Sequence, residues 1–152
     1  MVTYAQEKRM AIAGATDNTA IARRFVEECF NKGDMTVADE LLAGAASQRS
    51  PTLDDGPRGP EDVKQDIVRL RMAFPDLHVT MRTVAEGDRV VAYLWMGGTN
   101  TGSYRGARAT GRYAAWKAIN TFRIADGRIV EQWGMADCAS TLKRLGLIPE
   151  ET

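Results

Sequence analysis

The dipeptide Asp126-Gly127 lies between two runs of alternating character, residues 116–125 and 128–136. A two-residue hairpin loop needs positive φ at both central positions, and Asp-Gly supplies it at low cost. That turn fixes a register by counting. Ile124 faces Ile129, Phe122 faces Glu131, Asn120 faces Trp133, Ala118 faces Met135 and Trp116 faces Asp137. Facing residues share one side of the sheet, and side chains alternate along each strand. One side then carries Trp116, Ala118, Asn120, Phe122, Ile124, Ile129, Trp133 and Met135, and is expected to be buried. The other carries Lys117, Thr121, Arg123, Arg128 and Gln132, with Ile119 and Val130 among them. Asn120, Glu131 and Asp137 fall on the apolar side, where a carboxylate needs a partner or a chemical task.

The chain before this hairpin reads mostly as helix. Residues 1–17, with the piece Ala11-Ile12-Ala13-Gly14-Ala15, form a flexible lead-in, and residues 18–152 form one domain. Asp17 or Asn18 caps a first helix whose apolar positions are Ile21, Phe25, Cys29 and Phe30; Gly33 ends it. Asp34 caps a short second helix through Leu42. Residues 44–59, with Pro51, Gly56, Pro57 and Gly59, read as a loop, either a plain connector or the roof of a pocket. Pro60 opens a third helix with Glu61 and Asp62 in its first turn, a stripe of Val63, Ile67, Leu70 and Phe74, and a stop at Pro75.

Strands follow. Leu77, Val79 and Met81 alternate with His78, Thr80 and Arg82, which puts His78 on the polar face. Gly87-Asp88 turns the chain into residues 89–96, apolar enough to be covered on both faces. Residues 97–111 are glycine-rich and lack a phosphate-loop pattern. After the Asp126-Gly127 hairpin, Asp137 or Ser140 caps a last helix, and Gly146 closes it. Helices first and an antiparallel meander afterwards define an α+β class.

Charge and cysteine usage exclude several functions. Lys+Arg and Asp+Glu number 20 each, so no bulk field draws nucleic acid or an anionic membrane. No run reaches membrane-spanning length, and a cytoplasmic protein is the default. The single histidine, His78, argues against a multi-histidine metal site, and two cysteines make no disulfide scaffold.

Five segments, in order and spacing, resemble the SnoaL-like polyketide cyclases of the nuclear transport factor 2-like superfamily. They are RRFVEECFNKGD from Arg23, GPEDVKQDIVRLRMAFPDLHVT from Gly59, EGDRVVAYLWMGGTNTG from Glu86, ATGR from Ala109, and FRIADGRIVEQWGMAD from Phe122, followed by LKRLGLIP. The resemblance implies a cone-shaped barrel: a curved antiparallel sheet with three to four helices enclosing a cavity. It implies a homodimer, which would form through the sheet's outer face, and a hydrophobic or aromatic small-molecule substrate. It also implies aldol-type ring closure on a polycyclic ketone without metal or organic cofactor. Relatives of this fold hydroxylate anthracycline-like substrates, and a non-catalytic binding protein is a further alternative. In the family an aspartate near the end of the last long strand is the acid/base, and Asp137 matches it. The neighbouring histidine corresponds to Asn120, and a second frequent histidine corresponds to Asn100, so this chain carries neither.

Asp137 thus has two readings, general acid/base or helix cap. They compete, since capping bonds lower a carboxylate's pKa and an apolar cavity raises it. Asn120 is either a satisfied core amide or a group that orients a substrate carbonyl. Trp116, Trp133, Met135, Phe74, Tyr93 and Trp95 are candidates to line a site for a flat ligand, or else core. Glu131 is expected to pair with an arginine or to sit at the sheet's rim, and Cys138 is the outside candidate for a reactive thiol.

Overall fold

The structure is a computed structural model and describes residues 1–50 and 53–149. Thr3 opens the first helix. The Thr3 N–H donates to Gln6 Oε1 (2.8 Å), and the Gln6 N–H donates to Thr3 Oγ1 (3.2 Å), a reciprocal cap. Helix α1 spans Tyr4–Phe25 and continues as a π-helical segment, Val26–Asn31. The start expected at Asp17 or Asn18 is thereby corrected. The alanine-rich stretch has high intrinsic helix propensity, which its lack of apolar periodicity concealed. Buried Phe25, Val26, Cys29 and Phe30 anchor the C-terminal half. Its last carbonyls are satisfied from outside, since Arg71 Nη1 donates to Phe30 O (2.6 Å) and Asn31 O (3.0 Å).

Asp34 caps α2, Met35–Leu41, by accepting from Thr36 N at 3.0 Å. The next segment departs from expectation. Residues 44–59 do not form a loop: β1, Leu42–Ser50, and β2, Leu53–Arg58, occupy most of it, while Pro51 and Thr52 lie outside the described residues. β1 pairs in parallel with the sixth strand, far away in sequence, so no hairpin signal announces it. Helix α3, Pro60–Ala73, begins and ends as its prolines dictate, and Asp62 accepts from Gly59 N at 2.8 Å.

β3, His78–Glu86, and β4, Arg89–Thr99, form a hairpin about Gly87-Asp88, with Gly87 at φ 59°. β4 is covered on one face only. Val90, Ala92, Leu94 and Met96 are buried, whereas Tyr93 and Trp95 are exposed on the other face. β5, Tyr113–Ala125, and β6, Arg128–Ala136, meet at the expected turn, with Asp126 at φ 52° and Gly127 at φ 74°. Helix α4, Cys138–Arg144, follows and packs on β5.

The β5–β6 register holds at Ile124↔Ile129 and then shifts by one residue, at a bulge on β6: Arg123 pairs Glu131, Phe122 pairs Gln132, Asn120 pairs Gly134 and Ala118 pairs Ala136. Every residue of β6 beyond Val130 therefore faces opposite to the counted register. Glu131 moves to the outer side, where its Oε2 meets Arg123 Nε at 3.0 Å and Arg89 Nη1 at 4.0 Å.

The six strands run in the order β2-β1-β6-β5-β4-β3, antiparallel except for β1 beside β6. The sheet is curved and does not close, so the expected cone is open between β2 and β3. The fold class is α+β as expected. α1 packs on β3 and β4, and α3 on β1. Phe25 meets Phe122 edge to face at 5.9 Å, locking helix to sheet over the core.

Candidate functional site

Between α3, the inner face of the sheet and the segment after β4 lies a cavity of about 700 Å³. Leu94, Met96, Trp116 and Ala118 give it an apolar wall. Trp116 is held from behind by Phe74, whose ring lies 5.0 Å away, and Phe74 in turn meets Tyr104 at 5.4 Å. Phe74 is fully buried and is not part of the wall; it fixes two aromatic residues that are. Burial raises the Tyr104 phenol pKa above its ordinary value.

Two amides interrupt the apolar wall. Asn120 on β5 is buried and borders the cavity. Its position faces Gly134, and a Cβ there would lie 2.7 Å from Asn120 Oδ1, so the glycine makes room for this side chain. Gln132 on β6 is 5% exposed, borders the same cavity, and its buried Oε1 has no hydrogen-bond partner. The counted register hides Gln132, because only the bulge turns it inward. On the opposite wall Asp66 of α3 meets Arg58 of β2, Nη1 to Oδ2 at 2.8 Å. Asp66 is the one carboxylate among the described residues that border the cavity. Near the mouth Arg105 Nη2 donates to Cys138 Sγ at 3.1 Å. Arg58 has no sequence signal, since β2 was not expected, and Asp66 lies on the expected α3 beside its apolar stripe without a motif to single it out.

Asp137 lies beside this cavity rather than in its wall. Its oxygens accept from Ser140 N (3.0 Å) and Ser140 Oγ (2.7 Å), and it caps α4. The Ser140 hydroxyl and N–H hold its carboxyl below the usual carboxylate range. Asn100, at the second position where the family has histidine, is fully buried and fully used. Its Nδ2 donates to Ala73 O and Gly102 O, and its Oδ1 accepts from Thr110 N and Oγ1. It ties the segment after β4 to the end of α3.

The remaining expected residues divide. Trp116 lines the cavity, and Met135 borders its edge while staying 54% exposed. Trp133 faces outward because of the bulge, and Tyr93 and Trp95 face outward by the alternation of β4; Arg82 lies over the Trp95 ring at 5.9 Å. None of these three borders the cavity. His78 is exposed. No group of three or more His, Cys, Asp or Glu among the described residues could hold a metal ion, and no described helix is long and apolar enough to cross a membrane.

An open α+β cone around an aromatic-walled cavity is the architecture of a known class, and comparison with known proteins places the chain within it. The SnoaL-like polyketide cyclase family model matches residues 20–145, and the chain belongs to that family. Among solved structures it is similar to IdmH from Streptomyces antibioticus, provisionally assigned as a polyketide cyclase. Identity is 31%, with 87% of this chain and 98% of that chain covered at a TM-score of 0.73. TsrD from Streptomyces laurentii is 28% identical, with 88% and 97% covered at a TM-score of 0.77. AclR from Streptomyces galilaeus, provisionally assigned as a hydroxylase, shares the fold at a TM-score of 0.80 and 24% identity, with 91% and 86% covered. The search of curated proteins finds no match.

Proposed function

We propose that this protein is a cofactor-independent enzyme of polyketide-type metabolism. It takes a polycyclic ketone into the cavity and stabilises its enolate. The observation that carries this reading is the pair of amides, Asn120 and Gln132, set in an aromatic and aliphatic wall. The ring system stacks on Trp116, which Phe74 keeps in place. Asn120 donates a hydrogen bond to the ketone oxygen. As the adjacent C–H bond breaks, its electron pair moves into the enolate and charge grows on that oxygen, where a fixed donor in a water-poor site is most effective.

The proton goes to Asp66, the carboxylate that borders the cavity. Asp137, matched to the family's acid/base by sequence, caps α4 through two bonds from Ser140 and lies outside the cavity lining, whereas Asp66, paired with Arg58 and Arg69, is part of it. The enolate carbon then attacks a second carbonyl of the same substrate and closes a ring, aldol fashion. The alternative on the same fold is hydroxylation, in which the electron-rich ring reacts with oxygen; oxygen uptake in proportion to product would assign it. A non-catalytic binding protein is the remaining reading, favoured by the engagement of Asp137 in its cap.

Deuterium uptake from heavy water into a cyclic ketone such as tetralone separates these. Asp66→Asn should lose exchange by at least about a hundredfold, and Asn120→Ala by about the same. Asp137→Asn should retain it. Loss in Asp137→Asn with Asp66→Asn unaffected returns the proton transfer to Asp137. Absence of exchange with intact ligand affinity leaves a binding protein.

We also propose a homodimer through the outer face of the sheet. Tyr93, Ile119 and Met135 are in register across β4, β5 and β6, exposed by 44%, 45% and 54%, with Trp95 and Trp133 beside them. A patch of this kind marks an interaction surface. Light scattering that shows a monomer at micromolar concentration would refute it.

A further inference from the structure

At the mouth of the cavity the backbone holds an arginine where it is disfavoured. Tyr104 and Ala107 exchange two backbone hydrogen bonds, of 3.0 and 2.9 Å, around a two-residue turn. The central residues are Arg105 and Gly106, at φ 49° and 80°. A turn with positive φ at both positions favours Asn-Gly or Asp-Gly, and the β5–β6 turn carries Asp126-Gly127 accordingly. The Arg105 guanidinium itself lies at the cavity rim, since its Nη2 donates to Cys138 Sγ at 3.1 Å and both residues border the cavity. A thiol is a weak acceptor. The other neighbour of the guanidinium is Tyr104, whose ring centroid is 5.8 Å away. No carboxylate among the described residues pairs with Arg105, and Asp137, beside Cys138 in sequence, feels Arg144 and Lys143 instead. Arg58 and Arg69 flank Asp66 at 2.8 and 3.8 Å, so three arginines stand against one carboxylate among the described residues of the lining. The chain as a whole balances 20 cations with 20 anions, so this excess is local to the cavity, where apolar walls focus its field.

We propose that Arg105 anchors a carboxylate on the substrate, and that the cavity takes the free acid of a cyclic ketone in preference to a neutral ester or amide. The inference rests on the reading of the cavity as a polycyclic-ketone site and adds a charged substituent to that ligand. The ring system lies against Trp116 with its ketone on Asn120, and the carboxylate points to the mouth. With one of its donors on the thiol, the guanidinium fork retains N–H groups for the carboxylate oxygens. The turn holds the fork in place before the ligand arrives, so little freedom is lost on binding.

The test uses 1-tetralones carrying a carboxylate at one ring position, each paired with its primary amide, and the parent 1-tetralone. Quenching of tryptophan fluorescence in the full chain reads affinity. At least one acid should bind the wild type about tenfold tighter than its amide, the size of one charge-assisted hydrogen bond. That ratio should shrink as ionic strength rises from about 0.01 M to about 1 M. Arg105→Asn introduces a residue that the turn favours. It should abolish the ratio by weakening the acid alone, without lowering Tm. Arg105→Lys keeps the charge and should retain a reduced preference. If acids and amides bind the wild type equally while the parent tetralone binds, the inference is wrong and the polycyclic-ketone site stands. If the preference survives in Arg105→Asn, another cation carries it and the inference is again wrong. A preference lost equally in Arg105→Lys, or a Tm that falls by more than about 2 °C in Arg105→Asn, marks Arg105 as a strut of the mouth and refutes the anchor. If acids bind through Arg105 while the parent tetralone and the amides do not, the anchor stands and the ketone reading falls. If nothing binds, both fall.

Discussion

Replacing Asn100 by alanine removes four hydrogen bonds from one fully buried side chain: two donated to Ala73 O and Gly102 O, two accepted from Thr110. Each is worth about 1 kcal/mol net, and the 3.3 Å bond to Ala73 O less. Thr110 and Gly102 are half-buried and regain part of the loss from water. The expected cost is therefore about 3 kcal/mol. For a chain of this size that corresponds to a fall in Tm of roughly 6–12 °C. Calorimetry measures it directly, and a urea midpoint that falls at unchanged m-value checks that stability alone has moved. The same variant should open the segment after β4 to trypsin at Arg105 and Arg108, both exposed there. Asn100→Asp keeps the acceptor and turns an oxygen toward two carbonyls, so it should be at least as destabilising at neutral pH. A Tm within about 2 °C of wild type would refute the clamp. Loss of ligand binding without loss of Tm would instead give Asn100 a direct role toward substrate, as the family's histidine position implies.

Gly102→Ala should destabilise more than a surface change, by about 1–3 kcal/mol, because its Cβ would fall 2.1 Å from the Met72 carbonyl oxygen; chemical denaturation reads it. The Asp137 cap should impose a pH dependence. Its carboxyl is lowered in the folded chain, so its contribution is complete above the unfolded aspartate range, about pH 4, and is lost as pH falls through the folded value. The Tm gap between wild type and Asp137→Ala should hold at neutral pH and close in acid. Native alkylation by iodoacetamide should modify Cys138 and spare Cys29, whose thiol is fully buried and pushed up to about 12; equal modification of both would contradict the packing.

How far the sequence reached depended on whether the governing contact was local. The Asp126-Gly127 and Gly87-Asp88 turns were legible because two residues decide each, and α3 because Pro60 and Pro75 punctuate it. β1 and β2 were not legible, since their partners are distant or themselves obscured by glycine and proline. Among site residues Trp116 and Asn120 reached the cavity because they precede the turn, on the strand whose inward face the count set correctly. Gln132 and Trp133 were exchanged because the bulge has no glycine or other marker in the sequence. Asp137 and Ser140 were both legible as caps of the last helix, and Asp137 fills the role by accepting from Ser140.

The bulge at Val130 makes the composition of the cavity wall depend on a residue count. Whether a β6 residue contributes to the binding surface or to the outer face is set by the parity of the residue count from the turn. Deleting one residue there would rotate Trp133 and Met135 inward and Gln132 outward in a single step, exchanging an amide-bearing wall for an aromatic and thioether one.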